Sequence, residues 1–206
     1  MSIGYLWRGQ ASGSISGAEL DALSALLDPS EHTHIARLRS RVGQIDAIIA
    51  HGLRRRLLAE LTGAPANSFR FTQTTPFAKP RLQGCPDIDV SLTHCEGFAA
   101  AAVTAQGRVG IDAERRGRDL PDAVFSMIAT PHERAMADDP LGLWTLKEAL
   151  AKAEGSGFAL DFQSIETDPA TPRLCAAPAS FGATADWRLR RHIQDGFTVA
   201  IAFAAR

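Results

Sequence analysis

Apolar positions along this chain follow one period before residue 69 and another after it. Upstream they recur at helical spacing: Leu20, Leu23, Leu26 and Leu27 share a face behind Ser16, whose pairing with Glu19 is a capping-box pattern. Asp28-Pro29-Ser30-Glu31 opens a basic helical stretch. Ile45, Ile48, Ile49, Leu53, Leu57, Leu58 and Leu61 then predict a long helix from Ile45 to Leu61, stopped by Thr62-Gly63-Ala64-Pro65. A short strand is expected at Ile3 to Trp7. Downstream the pattern turns to strands: Phe69-Arg70-Phe71, Val90 to Thr93, Phe98 to Thr104 and Arg108 to Glu114, the last two read as a hairpin about Ala105-Gln106-Gly107. Helical character returns at Pro121 to Met127, after the Thr130-Pro131-His132-Glu133 cap, and from Leu143 to Glu154. Gly155-Ser156-Gly157 breaks the last helix and leads into Phe162 to Thr167. Asp186 to Ile193 and Phe197 to Phe203 close the chain as a strand pair.

Each half therefore offers a long helix and several antiparallel strands. The expected class is α+β, with two similar lobes meeting near residue 105 (1–105 and 106–206). With 206 residues, 45% of them apolar, the chain is long enough for a substantial core. A formal net charge of −1 gives no whole-molecule attraction to nucleic acid or anionic membrane. The longest apolar runs, Phe98 to Val103 and Val199 to Ala205, fall well short of the roughly 20 residues a membrane helix needs. The N-terminal residues lack the signal-peptide pattern of a basic stretch before a long apolar run, and Cys85, Cys95 and Cys175 form no CxxC pair. Free thiols in a reducing cytoplasm are the expectation.

Two segments carry candidate chemistry. In the strand Gly110-Ile111-Asp112-Ala113-Glu114, alternation puts Val109, Ile111 and Ala113 on one face, and Asp112 and Glu114 together on the other. In the helix Trp144 to Lys152, Glu148 and Lys152 lie one turn apart, with Trp144 and Leu150 assigned to the opposite side and Lys147 to solvent. Together they offer three oxygen ligands for a hard cation such as Mg²⁺ and an ammonium for a phosphate. Taken singly, each has a plain alternative: a solvated strand end paired to Arg115 or Arg116, and a surface ion pair of about 0.3–0.5 kcal/mol.

The two segments in this order, Gly-Ile-Asp-x-Glu and then Trp-x-x-Lys-Glu-Ala-x-x-Lys-x-x-Gly-x-Gly, resemble the signature pair of the 4′-phosphopantetheinyl transferases, in the larger Sfp-type subclass. Val90-Ser91-Leu92-Thr93-His94 is similar to that family's Ser-His strand end, and Ala78-Lys79-Pro80-Arg81 to its Gly-Lys-Pro loop. Thr130-Pro131-His132-Glu133 fits the turn before its second-half helix. The resemblance implies two lobes related by a pseudo-two-fold, each a long helix on a small antiparallel sheet, with a ligand cleft between them. It implies transfer of the phosphopantetheine arm of coenzyme A to a serine of an acyl or peptidyl carrier protein, with release of 3′,5′-ADP. By the same resemblance Asp112, Glu114 and Glu148 ligate Mg²⁺ and Glu148 takes the serine proton. Lys152, Lys79 with Pro80, and Thr93 with His94 hold the phosphates of coenzyme A.

The chain departs from the family pattern in three respects. A gapless reading puts Glu31, His34 and Asp46 where relatives carry basic residues for the 3′-phosphate, which leaves His32, Arg37, Arg39 and Arg41 as substitutes. Ala78 replaces a glycine, and Ala113 a larger apolar residue. Arg115, Arg116 and Arg118 are placed to steer an acidic carrier, and relatives of this length are usually monomers. Two other readings use the same residues: a degenerate carrier- or nucleotide-binding module, and a metal-dependent nucleotide pyrophosphatase. Retention of like charges without chemistry to do weighs against the first. His32 and His34 lack a third soft ligand nearby for zinc, and Cys95 reads as a small buried apolar residue.

Overall fold

Alternation along the strands stacks two helices and two sheets in the order helix, sheet, sheet, helix. The computed structural model describes residues 4–75, 78–157, 160–168 and 170–206. The first part of the chain contributes β1 (Leu6–Ala11), α1 (Gly17–Ser24), α2 (Pro29–Ala36) and α3 (Arg41–Thr62). Next come β2 (Phe71–Thr72), β3 (Arg81–Leu82), β4 (Asp89–Cys95), β5 (Phe98–Thr104) and β6 (Gly107–Arg115). Beyond them lie α4 (Asp122–Ile128), α5 (Pro131–Met136), α6 (Pro140–Glu154), β7 (Glu166–Thr167), β8 (Leu174–Ala176), β9 (Trp187–Gln194) and β10 (Phe197–Ala205). One antiparallel sheet has the order β1-β5-β4 and the other β6-β10-β9, with two-stranded ribbons β2-β3 and β7-β8 beside them.

In β5 the small run of alanines serves both faces. Ala99, Ala101 and Val103 pack toward Ile49, Ala50, Leu57 and Leu58 of α3, while Phe98, Ala100 and Ala102 meet Val109, Ile111 and Ala113 of β6 and Val199 and Ile201 of β10. The opposite face of β10, at Ala200, Ala202 and Ala204, receives Leu146, Ala149, Leu150 and Ala153 of α6. A strand buried on both faces has no polar side to alternate with, which is why β5 and β10 read as continuous apolar runs.

Most helix ends follow their local signals. Ser16 caps α1, Asp28 and Glu31 complete a reciprocal capping box on α2, and Thr130 with Glu133 does the same on α5. Gly63 closes α3 in the left-handed region, as Gly155 closes α6. Three expectations change. β5 and β6 are not a hairpin: the turn at Ala105-Gln106 carries the chain from one sheet into the other, because β5 takes β1 and β4 as partners and β6 takes β10. The strand expected from Phe162 shrinks to Glu166–Thr167, preceded by a 3₁₀ turn at Phe162–Ser164. The first strand starts at Leu6 and runs to Ala11; Ile3 lies outside the described residues. Among the described residues no helix is long and apolar enough to cross a membrane.

Candidate active site

The site is made where α6 crosses β6, and Gly110 sets how closely. A side-chain carbon at Gly110 would lie 1.9 Å from the Ala149 carbonyl oxygen and 2.5 Å from the Ala153 nitrogen, so only glycine lets the helix backbone settle on the strand. Two residues on, Asp112 faces the helix, and Glu114 follows one strand period later. From α6, Trp144, Glu148 and Lys152 at successive i+4 steps present one face to them.

Lys152 Nζ donates to Asp112 Oδ1 at 2.6 Å, and the Thr93 hydroxyl donates to the same oxygen at 3.0 Å. The Trp144 indole N–H donates to Glu114 Oε1 at 3.2 Å, and Arg118 Nη1 donates to Glu114 Oε2 at 2.5 Å. Trp144 therefore belongs to the acidic side of α6, where it also stacks on Phe162, and not to the opposite side as the sequence suggested. Glu148 is buried, and its Oε1 has no hydrogen-bond partner. Burial first, then the Asp112 charge, raise its carboxyl pKa to about 7; Lys152 opposes them and Glu114 adds to them.

A second element holds β6 in place. Alternate side chains of β4 act as a hydrogen-bonding ladder toward it: Asp89 Oδ2 accepts from the Val109 N–H at 2.8 Å, Ser91 Oγ accepts from the Ile111 N–H at 3.1 Å, and Thr93 reaches Asp112. Lys79 Nζ clasps this seam, donating to Asp89 Oδ2 at 2.5 Å and to the Val109 carbonyl at 2.8 Å. Burial lowers the Lys79 pKa against the pull of Asp89. Pro80, half-buried, follows it directly. Asp89 and Ser91 carry no motif of their own, and the signal that marks this face is the alternation of polar residues at 89, 91 and 93 with Val90 and Leu92.

His94, at the end of β4, keeps an exposed rim. Desolvation lowers its pKa first; Asp46 pulls it up, and Lys152 and His34 push it down. Residues of α2, α3, β4 and α6 thus come within electrostatic reach of one imidazole.

The positions expected to face the 3′-phosphate look different in three dimensions. Glu31 points inward: its Oε1 accepts from Arg54 Nη2 at 2.6 Å and its Oε2 from Arg55 Nε at 2.8 Å. Arg54 and Arg55 are buried, and Arg54 lies against the Phe71 ring. Asp46 is buried too, with Oδ2 accepting from the Gly97 N–H at 3.0 Å, where it ties α3 to the β4–β5 turn. Neither acid is an exposed carboxylate facing a ligand. His32, His34, Arg37, Arg39 and Arg41 are all exposed around the end of α2 and the start of α3.

Lys147, assigned to solvent from its sequence, is fully buried. Its ammonium donates to Glu133 Oε2 at 2.6 Å and to the carbonyls of Ile128, Phe162 and Ile165. Neighbouring lysines of one helix thus take opposite roles, because α6 is covered on the Lys147 side by α5 and the loop after it. Cys95 packs beside the inter-sheet core, and burial pushes its thiol up to about 12, no value for a nucleophile.

Among the described residues no group of three or more His, Cys, Asp or Glu donors is closed around a metal position. The donor chemistry nonetheless fits a hard divalent cation. Three carboxylates share one surface, one presents a buried oxygen without a partner, and their mutual repulsion is only partly offset by Lys152 and Arg118. Mg²⁺ is commonly held by one or two carboxylates plus substrate phosphates, so a complete protein cage is not required.

Residues 108–202 match the family model of the 4′-phosphopantetheinyl transferase superfamily. Over 106 residues the chain is 38% identical to 4′-phosphopantetheinyl transferase Svp of Streptomyces mobaraensis, a match covering 42% of this chain and 43% of that relative. The chain thus spans less than half the length of the relative it matches. The family match includes Asp112, Glu114, Glu148 and Lys152; Lys79, Thr93 and His94 lie before it.

Proposed function

We propose, on the match of residues 108–202 to the 4′-phosphopantetheinyl transferase superfamily model, that the protein transfers the 4′-phosphopantetheine arm of coenzyme A to a serine hydroxyl of an acyl or peptidyl carrier protein. One observation carries the reading: Asp112 and Glu114 on β6 share a surface with Glu148 and Lys152 on α6, and Glu148 keeps a buried oxygen free. In this proposal the chain is two lobes, 1–105 and 106–206, related by a pseudo-two-fold, and coenzyme A lies in the cleft between them. In support, each three-stranded sheet draws its strands from one of these ranges and packs on one long helix, α3 or α6. We assign the protein to the cytoplasm as a monomer.

Asp112, Glu114 and Glu148 would hold Mg²⁺, which when bound screens the pyrophosphate charge and polarises the phosphorus under attack. The serine oxygen forms its bond to the phosphorus of the phosphopantetheine, and the bond from that phosphorus to the oxygen bridging to the nucleotide phosphate breaks. Glu148 accepts the serine proton, and 3′,5′-ADP departs with the bond's electron pair. Lys152 faces the charge that develops there, where a fixed ammonium in a partly dry site is worth most. Lys79 with Pro80, and Thr93 with His94, line the path of the donor phosphates, and the exposed Arg37 and Arg41 supply charge for the 3′-phosphate. The pairing of Glu31 with Arg54 and Arg55 supports nucleotide binding at that end, because that acid's charge is matched inside the protein.

The test is the intact mass of a panel of apo carrier proteins after incubation with this protein, coenzyme A and Mg²⁺, wild type beside Glu148→Ala. A phosphopantetheine-sized gain that disappears in the variant is expected. No gain on any carrier, together with no binding of coenzyme A, would overturn the transferase reading. Release of 3′,5′-ADP without any carrier present would favour the pyrophosphatase instead.

A further inference from the structure

Of the three acids at the site, Glu114 alone has both oxygens engaged by side chains: Trp144 holds Oε1 and Arg118 holds Oε2. Asp112 concentrates its two contacts on Oδ1, and Glu148 keeps Oε1 free. The two partners of Glu114 differ in kind. Trp144 is a neutral donor, half-buried and stacked on Phe162. Arg118 is a full positive charge on a side chain more than half exposed, four residues after Glu114, and it lines a cavity of about 370 Å³ together with Arg116, Asp119, Asp138, Asp139 and Leu141. One contact is built into the packing; the other can be withdrawn into open space at little structural cost.

We propose that Arg118 is a positioning residue that serves as an internal counter-cation for Glu114, holding the carboxylate in place and giving up its oxygen when a divalent cation binds. The inference rests on the metal reading of the site. Its physical basis is direct competition. A cation on Glu114 Oε2 would lie against the guanidinium that donates to that oxygen at 2.5 Å, and repulsion between the two positive charges disfavours holding both, whereas the Trp144 contact is neutral, uses the other oxygen and survives. An exchange of one cation for another also avoids the repulsion that three bare carboxylates would suffer in the metal-free protein. Once released, the guanidinium has the neighbouring cavity to occupy.

The experiment is a titration of the full-length protein with Mn²⁺ alone, free Mn²⁺ being read by electron paramagnetic resonance. It compares wild type, Arg118→Gln, Arg116→Gln, Glu114→Gln and the Glu114→Gln/Arg118→Gln double variant. Because a partly exposed ion pair is the competitor, Arg118→Gln is expected to bind Mn²⁺ about two- to fivefold more tightly. Arg116→Gln controls for the loss of a nearby positive charge, and its gain is expected to be clearly smaller. In the Glu114→Gln background, removing Arg118 is expected to bring no gain. Equal affinity of wild type and Arg118→Gln would overturn the inference and leave the metal site standing. So would an equal gain in Arg116→Gln or in the Glu114→Gln background, since either is a general charge effect. Absence of Mn²⁺ binding by wild type and Arg118→Gln alike would remove the metal reading itself.

Discussion

The clusters of buried charge around Glu31 and around Glu148 are balanced differently. Around Glu31 both carboxylate oxygens are taken: Arg54 and His51 on one, Arg55 and the Asp28 N–H on the other. That carboxyl is held far below the ordinary range, because these donors together outweigh its desolvation. Around Glu148 there are three acids, with Lys152 and Arg118 as cations, one oxygen buried without a partner, and a carboxyl raised to about 7. In the first cluster both oxygens of Glu31 are paired and α2 is fastened to α3, although Arg54 Nε is buried there without a partner. The second is short of positive charge and donors, which is what a site that receives a cation and a substrate needs. Burial alone does not separate structure from function; the balance of charge does.

The largest expected effect lies at the deficit. Glu148→Gln should lower transfer to a carrier by about 10²–10⁴-fold, the range for losing a positioned proton acceptor. Product formation within tenfold of wild type would return Glu148 to a structural role. At the balanced cluster the same exchange should act on stability. Glu31→Gln leaves two buried arginines underpaired and should cost about 3–5 kcal/mol in urea denaturation. A loss under about 1 kcal/mol would show that Asp28 and the neighbouring carbonyls suffice for Arg55.

The pH dependence sharpens the contrast with a definite sign. A carboxyl raised from its ordinary 4.5 to about 7 binds its proton more tightly folded than unfolded. Its contribution is therefore fully present below pH 4.5 and lost as pH rises to 7. His51, His94 and His192, all lowered on folding, bias the wild type the other way in part of that window. The difference between metal-free wild type and Glu148→Gln isolates the carboxyl. By pH 8 the variant should have gained about 2–4 kcal/mol relative to wild type, compared with pH 4. A difference independent of pH would mean that Glu148 titrates as an ordinary surface acid. The smallest effect is expected at the seam: Ser91→Ala strands the Ile111 N–H and should cost about 1–3 kcal/mol in the same denaturation assay. Unchanged stability would show that β6 needs no ladder from β4.

Much of the site was readable because its parts are local. Alternation alone put Asp112 and Glu114 on one face of β6, and one helical turn put Glu148 with Lys152. The direction of a helix face toward solvent or protein was not readable. Lys147 and Lys152 belong to the same helix, yet one is sealed against Glu133 and the other reaches across to Asp112. Glu31 and Asp46 looked like acids at a phosphate site until their partners, more than twenty residues away or across the β4–β5 turn, proved to be inside.

By itself, then, the sequence determined the long helices, their caps, the strand faces and the motif that joins a carboxylate strand to a Glu-Lys helix, since each depends on neighbours within a few residues. Tertiary structure alone decided that β5 and β6 join different sheets, that α6 settles on Gly110, and that Lys152 and Arg118 stand on Asp112 and Glu114. Pairing, burial and the shortage of charge at Glu148 are properties of surfaces meeting in space, and local spacing along a chain does not specify which surfaces meet.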